Sequence, residues 1–464
     1  MDRKKQYWGN TALLTGSSLL MSAIGMMFQA WLVGRIGSAG IGLYQLTISV
    51  NNLLATVAIS GIRFASTRLI SEELGLSHTG SIRSAMRRCL AYALFWGGIA
   101  AAVQFLLAKP IAFLGIRDAR TVPSLQLSAI SMPCISLCSS LSGYFTACGR
   151  VWKPTLVHFL EQVAGIVLVA LFLRHSSGSL TADCAAVTLG RALADVFSLL
   201  LMLVVYLHDR LTRYPADSSD TQLTRRMLGI AMPLAASAYA RSALTTLRQL
   251  LVPRGLRAAG LSANAALSGY GVLQGMVLPI LFFPSCILSA AAELIVPELT
   301  GSQVRRDLSG MKNTAGELLR HSLWYSLAVG TLLLVFSDVL CMRIYHSYEA
   351  GKMLRLLAPL VPVMYMDMTV DGCLKGSGQQ VWSMGINIVE GLLGLMLVIL
   401  LLPHFGLNGY LSIFYVTEVF NFVLSFARLR QVLNASASGG RRPCASKEKS
   451  AYTAKRSAPI PPRL

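Results

Sequence analysis

Arg241 and Arg248 stand seven residues apart inside an apolar run at about 228–252, so they share one face of a helix. A guanidinium is a fixed fork of donors, always charged, that suits a phosphate or carboxylate. Arg63, in another apolar run, adds a third. Opposite in sign are Glu161, Glu390, Asp367 and Asp371, each inside a run of its own or of the pair. Asp367, Asp371 and Lys375 follow i, i+4, i+8 on one helix face. Lys375 can neutralise Asp371, which leaves Asp367 the better proton or cation site, and two carboxylates about 6 Å apart repel. Arg191 and Asp195, at i, i+4, are expected to satisfy each other. The amides Asn51, Asn52 and Gln274 can line a cleft, although buried amides also hydrogen-bond between helices. Plainer roles exist for the charges too. The arginines can pair with the acids, and Glu161 and Glu390 can share helix-packing bonds with Gln162 and Asn387.

The elements that position these side chains are membrane spans. Of 464 residues, 54% are hydrophobic and 13% charged, against ~25% charged in soluble domains, which excludes an ordinary soluble fold and a disordered chain. Twelve apolar segments of spanning length centre near 10–34, 42–62, 88–108, 124–147, 155–173, 184–207, 228–252, 268–296, 320–342, 354–374, 381–402 and 409–427. The 268–296 segment, with Pro279 and Pro284 inside it, is long enough to tilt or kink. The first segment exceeds a signal-peptide core and runs into the second, so no cleavable leader is expected. At the centre of such a span an ionised group costs at least ~2.5–3.5 kcal/mol, so each one must face protein or a wet cavity.

Charge placement orients the spans. With the N-terminus cytoplasmic, inner segments hold about 28 Lys and Arg against 10 in outer loops. Both termini are expected inside. The +20 net charge is an orientation signal, with no nucleic-acid partner implied. Organisation follows as a six-span lobe over 1–207, an inner loop over 208–227, a second lobe over 228–430 and a basic, disordered tail over 431–464. That tail is suited to anionic membrane lipids. Nine cysteines without a CxxC pair or a His cluster indicate neither disulfides nor a metal site. No phosphate loop, HExxH or nucleophile elbow is present, so no enzyme and no cofactor is expected.

An internal repeat gives the architecture. Pro133, Gly143, Gly149, Glu161 and Gly165 recur, without a gap, as Pro362, Gly372, Gly378, Glu390 and Gly394. Six spans separate the copies, so the halves have the same orientation and an axis along the membrane normal relates them. The expected fold class is an all-α integral membrane protein of 12 transmembrane helices in two six-helix lobes with a pseudo-two-fold axis. Lobes facing across a central cleft can rock, which is alternating access.

Several stretches carry a family resemblance. They are Arg35-Ile36-Gly37 to Gly42-Leu43-Tyr44, Ser60-Gly61-Ile62 to Ser71-Glu72-Glu73-Leu74-Gly75, Pro233 to Tyr239 with Arg241, and Pro253-Arg254-Gly255-Leu256. Further ones are Tyr270-Gly271 to Gly275-Met276, Phe283-Pro284-Ser285, Val296-Pro297-Glu298, and Leu402-Pro403 to Gly406-Leu407-Asn408-Gly409-Tyr410. The chain resembles the polysaccharide-transporter branch, above all the stage V sporulation protein B-like flippases, of the superfamily that includes multidrug (MATE) exporters and lipid II flippases. The resemblance implies a V-shaped two-lobe fold in a bacterial plasma membrane. It also implies outward flipping of a lipid-linked oligosaccharide or peptidoglycan precursor, coupled to an ion gradient or membrane potential. Two departures stand out: lipid II flippases have two further helices after the twelfth, and Arg63 stands where many relatives have proline.

The expected roles are Arg63, Arg241 and Arg248 on an anionic head group, and Glu161, Glu390, Asp367 and Asp371 for coupling to a proton or monovalent cation or for sugar contacts. Asn51, Asn52 and Gln274 are expected to complete the binding surface. The alternatives are a cation-coupled multidrug antiporter and a non-transporting scaffold in envelope or spore assembly.

Overall fold

The computed structural model describes residues 2–75, 79–213, 223–305 and 308–435, and all regular structure among them is helical. The basic residues expected in the tail from Arg441 to Arg463, and the middle of the 208–227 loop, lie outside the described residues. So do the side chains of Glu293 and Glu298.

Nine stretches among the described residues are long and apolar enough to cross a membrane. Two of them, Gly16–Leu74 with 59 residues and Gln380–Asn434 with 55, are about twice spanning length. Each is bent where a glycine leaves helical geometry, at Gly37 (φ 70°) and at Gly406 (φ 55°). Leu223–Ala258 is helical over 36 residues but is not among the nine, because Arg225, Arg226, Arg241, Arg248, Arg254 and Arg257 break its hydropathy. For description the helical runs are α1 (2–36), α2 (38–75, broken at Ser60–Gly61 where φ turns positive), α3 (Thr79–Leu106), α4 (Ala119–Ala147), α5 (Trp152–Arg174) and α6 (Leu180–Arg213). The second set is α7 (Leu223–Ala258), α8 (263–305), α9 (Leu308–Tyr345), α10 (Tyr348–Gly376), α11 (380–405) and α12 (407–435).

The sequence repeat recurs as a structural one. Gly149 ends α4 and Gly378 ends α10, each at φ +70°. In both caps the amide of the next residue bonds five residues back, Arg150 to the Phe145 carbonyl and Gln379 to the Leu374 carbonyl, at 2.9 Å. This is the left-handed glycine cap that a side chain bearing Cβ disfavours. Gly143 lets α4 close onto α2 at Ser66, and Gly372 lets α10 close onto α8 at Ala292. Pro133 and Pro362 each lie against a glycine of the preceding long helix, Gly97 and Gly330. The kink expected in 268–296 takes the form of a π-helical turn, Leu273–Val277, and a break at Phe283–Pro284.

The two lobes meet along α1 and α2 of the first and α7 and α8 of the second. Gly42 and Gly271 bring the α2 and α8 backbones together, and the Ser38 and Ser268 hydroxyls bond at 2.6 Å beside them. Thr246 donates to the Ser49 carbonyl at 3.0 Å, Thr56 donates to Ser242 at 3.2 Å, and Ser60 bonds Tyr239. At the terminus-bearing end Arg226 pairs with Glu72 (2.7 Å) and Glu73 (2.8 Å).

Burial differs between the two ends. In the half remote from the termini, one continuous apolar cluster runs from Leu32 and Ile41 through Leu267 and Leu273 to Tyr365 and Leu402, so it joins both lobes. In the terminus-bearing half the buried residues form two separate clusters. One holds Ile62, Met86, Tyr144 and Met202 with Leu223 and Met227 of α7, and the other holds Leu299, Met311, Val370 and Leu429. The buried core is welded at one end and parted at the other, where α7 stays joined to the first lobe.

Candidate functional site

Each lobe holds a polar pocket built on the repeat. In the first lobe a cavity of about 190 Å3 is lined by Arg63 of α2, Ser142 of α4, His158 and Glu161 of α5, and Asp195 and Ser198 of α6. In the second, a cavity of about 160 Å3 is lined by Arg241, Thr245 and Arg248 of α7 and by Asn387 and Glu390 of α11. The arrangement follows from helix geometry. Arg241 and Arg248 share one stripe of α7, Asn387 and Glu390 one stripe of α11, and the two stripes face each other.

The repeat-related glutamates have different partners. Glu390 Oε1 lies 3.6 Å from Arg248 Nη1. Glu161 Oε2 lies 3.2 Å from His158 Nδ1, one turn earlier on its own helix. One turn beyond each glutamate stands a repeat-related glycine with a guanidinium laid against it. A Cβ on Gly394 would stand 3.1 Å from Arg248 Nη1, and one on Gly165 would stand 3.7 Å from Arg191 Nη1. The same Glu–Gly face therefore occurs twice, served by an arginine of α6 in one lobe and of α7 in the other.

This corrects one expectation. Arg191 and Asp195 do not form an ion pair within 4.0 Å among the described residues, although their spacing invites one. The long side chain of Arg191 reaches sideways across Gly165 to α5. Arg63, Arg191 and Arg241 are all exposed and none has a carboxylate within ion-pairing distance among the described residues. Of the cleft arginines, only Arg248 is held by an acid.

Asp367 sits behind the second pocket. Its Oδ2 accepts from Asn421 Nδ2 at 3.3 Å, while its Oδ1 is buried without a hydrogen-bond partner. The same Asn421 amide reaches Asn387 Oδ1 at 3.3 Å, so a polar chain runs from Asp367 to the pocket wall. Asp371 pairs with Lys375 at 2.5 Å and accepts from the Ser383 hydroxyl. Asn51 accepts from Gln104 at 3.2 Å, and Gln274 donates to the Tyr410 hydroxyl at 3.0 Å, so both bridge neighbouring helices of their own lobe. Asn52 is exposed. Gln162 donates to the Met21 carbonyl at 2.8 Å and does not share its amide with Glu161.

The structure thus brings Arg241, Arg248 and Glu390 into one pocket and Arg63 and Glu161 into another, and places Asp367 one relay away. His158 and Asp195 join the first pocket, Asp195 having been expected only to pair with Arg191. Glu418 of α12 is a further carboxylate on the side of Asp367, where α12 packs beside α10. For Arg191 the available signal was the recurring glycine, since Gly165 and Gly394 leave the same gap.

Known proteins resemble this chain over most of its length. The family described as Polysaccharide biosynthesis protein matches residues 7–292, and the MatE family matches residues 255–400. Stage V sporulation protein B of Bacillus subtilis (strain 168) is 21% identical over 417 residues, 88% of this chain and 80% of that protein. Sporulation protein YkvU of the same organism is 22% identical over 390 residues, 80% of this chain and 84% of that protein. Among solved structures, an inward-facing multidrug resistance MATE family transporter of the MOP superfamily superposes with a TM-score of 0.68 at 13% identity, covering 91% of this chain and 96% of that one. The MATE multidrug transporter DinF-BH gives 0.66 at 16% identity, covering 92% and 96%. A MOP superfamily transporter from Pyrococcus furiosus gives 0.64 at 14% identity, covering 92% and 96%.

Paired lobes with charged pockets inside a helical membrane bundle give the chain the fold of the MATE family transporter structures. The chain belongs to the polysaccharide biosynthesis protein family, whose model covers more than half of it.

Proposed function

We propose that the protein flips a lipid-linked, anionic saccharide, an oligosaccharide or a peptidoglycan precursor, across a bacterial plasma membrane by alternating access. In this reading the chain makes twelve passes, counting the polar α7 as one, and both termini are cytoplasmic. The welded end then faces outward and the parted end faces the cytoplasm. The pyrophosphate-bearing head group enters between the lobes while its lipid tail stays in the bilayer. The observation that carries the reading is that Arg63 and Arg241 line the two pockets with no carboxylate within 4.0 Å of either among the described residues. An unpaired guanidinium at such depth is costly unless an anion visits it. Arg248, already held by Glu390, adds a second fork beside Arg241. Asp367 serves coupling: its unpartnered Oδ1 is available to a proton or monovalent cation, and the relay through Asn421 and Asn387 links it to the pocket. Glu161 contacts sugar hydroxyls, and Asp371, tied to Lys375, stays structural. The tail beyond residue 430 adds attraction to anionic lipid at roughly 1 kcal/mol per nearby basic residue.

The test is purified protein in liposomes with a fluorescent lipid-linked oligosaccharide on one leaflet. Arg241→Ala is expected to insert normally and to slow flipping at least about tenfold, the loss of one hydrogen bond to a charged group worth ~1.5–3 kcal/mol. Full activity in that variant sinks the anionic-cleft reading.

A second reading, a cation-coupled multidrug antiporter, draws on the carboxylate cluster of Asp367 and Glu418 beside the arginine pocket. Efflux of cationic dyes from a sensitive host, lost in Asp367→Asn and indifferent to Arg241→Ala, would favour it.

A further inference from the structure

Between α3 and α4, at the end remote from the termini, the chain makes a short helical segment, Ala108–Pro110, and then a π-helical turn, Ile111–Ile116. Arg117, left-handed at φ 58°, terminates it. This helix end belongs to the first lobe, and its last carbonyls receive arginines from the second. Arg254, near the end of α7, donates through Nη2 to the carbonyls of Leu114 and Gly115. One turn on, Arg257 Nη1 donates to the Arg117 carbonyl at 3.4 Å. The like charges of Arg117 and Arg257 bear on Arg254. The carboxylate beside them, Asp118, is occupied by Arg120, whose Nη2 lies 2.6 Å and Nε 2.9 Å away. Arg254 Nε and Arg257 Nε are buried and have no acceptor.

Two guanidiniums of the second lobe therefore rest on backbone carbonyls of the first, one of them Arg117's own, with no free acid among their partners. A helix end presents roughly half a negative charge, enough to park a guanidinium but less than an oxyanion offers. Hydrogen bonds to an ionised acceptor are about twice as strong as neutral ones, and a phosphate accepts a guanidinium through two parallel bonds. The carbonyl contact is thus an exchangeable one, and what it holds together is the lobe junction at the welded end.

We propose that Arg254 and Arg257, with Arg117 beside them, form a phosphate-binding latch. With the welded end closed, the two α7 arginines are parked on the helix-end carbonyls; when it opens they hold a phosphate oxyanion. A phosphate that takes the arginines removes the tie between α7 and the first lobe, so binding favours the open state by its differential affinity for it. The phosphate has two sources of the same chemistry, the head group of departing cargo or the head group of a neighbouring lipid. The latch rests on the alternating-access reading but not on Arg63, Arg241 or Arg248.

Hydrogen exchange of the full-length protein in nanodiscs tests it, followed on peptides covering 108–121 and 254–264. In zwitterionic nanodiscs, soluble inorganic pyrophosphate is expected to speed exchange there at least about tenfold, the equilibrium worth of one charge-assisted hydrogen bond. R254Q/R257Q should already exchange fast and ignore pyrophosphate. R254K/R257K, which keeps the charge, should recover part of the response and separates a lost latch from a misfolded loop. Nanodiscs of phosphatidylglycerol in place of phosphatidylcholine form the second arm. A response to soluble pyrophosphate assigns the site to a departing head group, and a response to the anionic lipid alone assigns it to the leaflet. No response in either arm, or a response retained by R254Q/R257Q, overturns the latch. R241Q should keep the response at 108–121, so failure of the flipping reading and failure of the latch give different results.

Discussion

Glu161 and Glu390 occupy equivalent repeat positions, each one turn ahead of a glycine that has an arginine against it. Glu390 is close enough to its arginine to pair, at 3.6 Å, while Glu161 turns instead to His158 at 3.2 Å. Duplication has preserved the backbone features, proline, glycine caps and helix contacts, and has let the charges diverge. The reason is mechanical. A glycine at a cap or a close approach has no substitute, whereas a guanidinium on a flexible stem can reach the same spot from α6 or from α7. One lobe thereby keeps Arg63 and Arg191 out of ion-pairing distance of any acid among the described residues, and the other commits one of its two to Glu390. The scaffold is two-fold, and the chemistry on it is not.

The largest expected difference between the lobes is in stability. Glu390→Gln leaves Arg248 without its acid inside the membrane. Breaking a fully buried pair costs ~3–5 kcal/mol; with side chains 28% and 18% exposed the expected loss is about 1–3 kcal/mol. Glu161→Gln weakens contacts with a half-exposed histidine and with the Ser198 hydroxyl and is expected to cost under about 1 kcal/mol. Thermal unfolding of the two variants in the same detergent compares them. Equal losses would mean the lobes are electrostatically alike after all.

The shared scaffold makes the opposite forecast. Gly149→Ala and Gly378→Ala each force a Cβ into φ +70°, and each is expected to destabilise by about 1 kcal/mol. Similar losses sharpen the contrast between conserved backbone and divergent charge. If one variant were neutral, the identical cap bonds at Arg150 and Gln379 would not be equally important.

Much of this was legible before any coordinates. The lobes, the repeat and the Asp371–Lys375 pair follow from apolar run length and from fixed helical spacing, which are local properties. What stayed hidden depends on reach and on bends. Gly37 and Gly406 sit inside continuous apolar stretches, so hydropathy runs through the bends that divide them. Spacing alone joined Arg191 to Asp195, because i, i+4 measures where side chains begin and not where a long one ends. Glu418, isolated in its run, gained meaning only when α12 packed beside α10 and brought it to Asp367. Nor does composition reveal that the buried core is continuous at one end and divided at the other.

The finest test of the comparison uses the two glycines beneath the guanidiniums. At Gly394 a methyl group would press on Arg248 Nη1 at 3.1 Å and Cδ at 3.2 Å, tighter than ordinary contact. At Gly165 the same methyl would meet Ala194 Cβ at 3.4 Å and Arg191 Nη1 at 3.7 Å, ordinary van der Waals distances. Gly165→Ala should change stability by less than about 0.5 kcal/mol, whereas Gly394→Ala, by disturbing the Arg248–Glu390 pair, is expected to cost up to the ~1–3 kcal/mol of Glu390→Gln. Their effects on transport should differ as well. Gly394→Ala pushes Arg248 away from Glu390, freeing both charges in the pocket that also holds Arg241, and a change in flipping rate of a few-fold is expected. Gly165→Ala leaves Arg191 where it is and should transport as the unmodified protein does. If both variants alter flipping alike, the arginines act as a symmetric pair, and the difference in their acid partners has no part in how cargo is held.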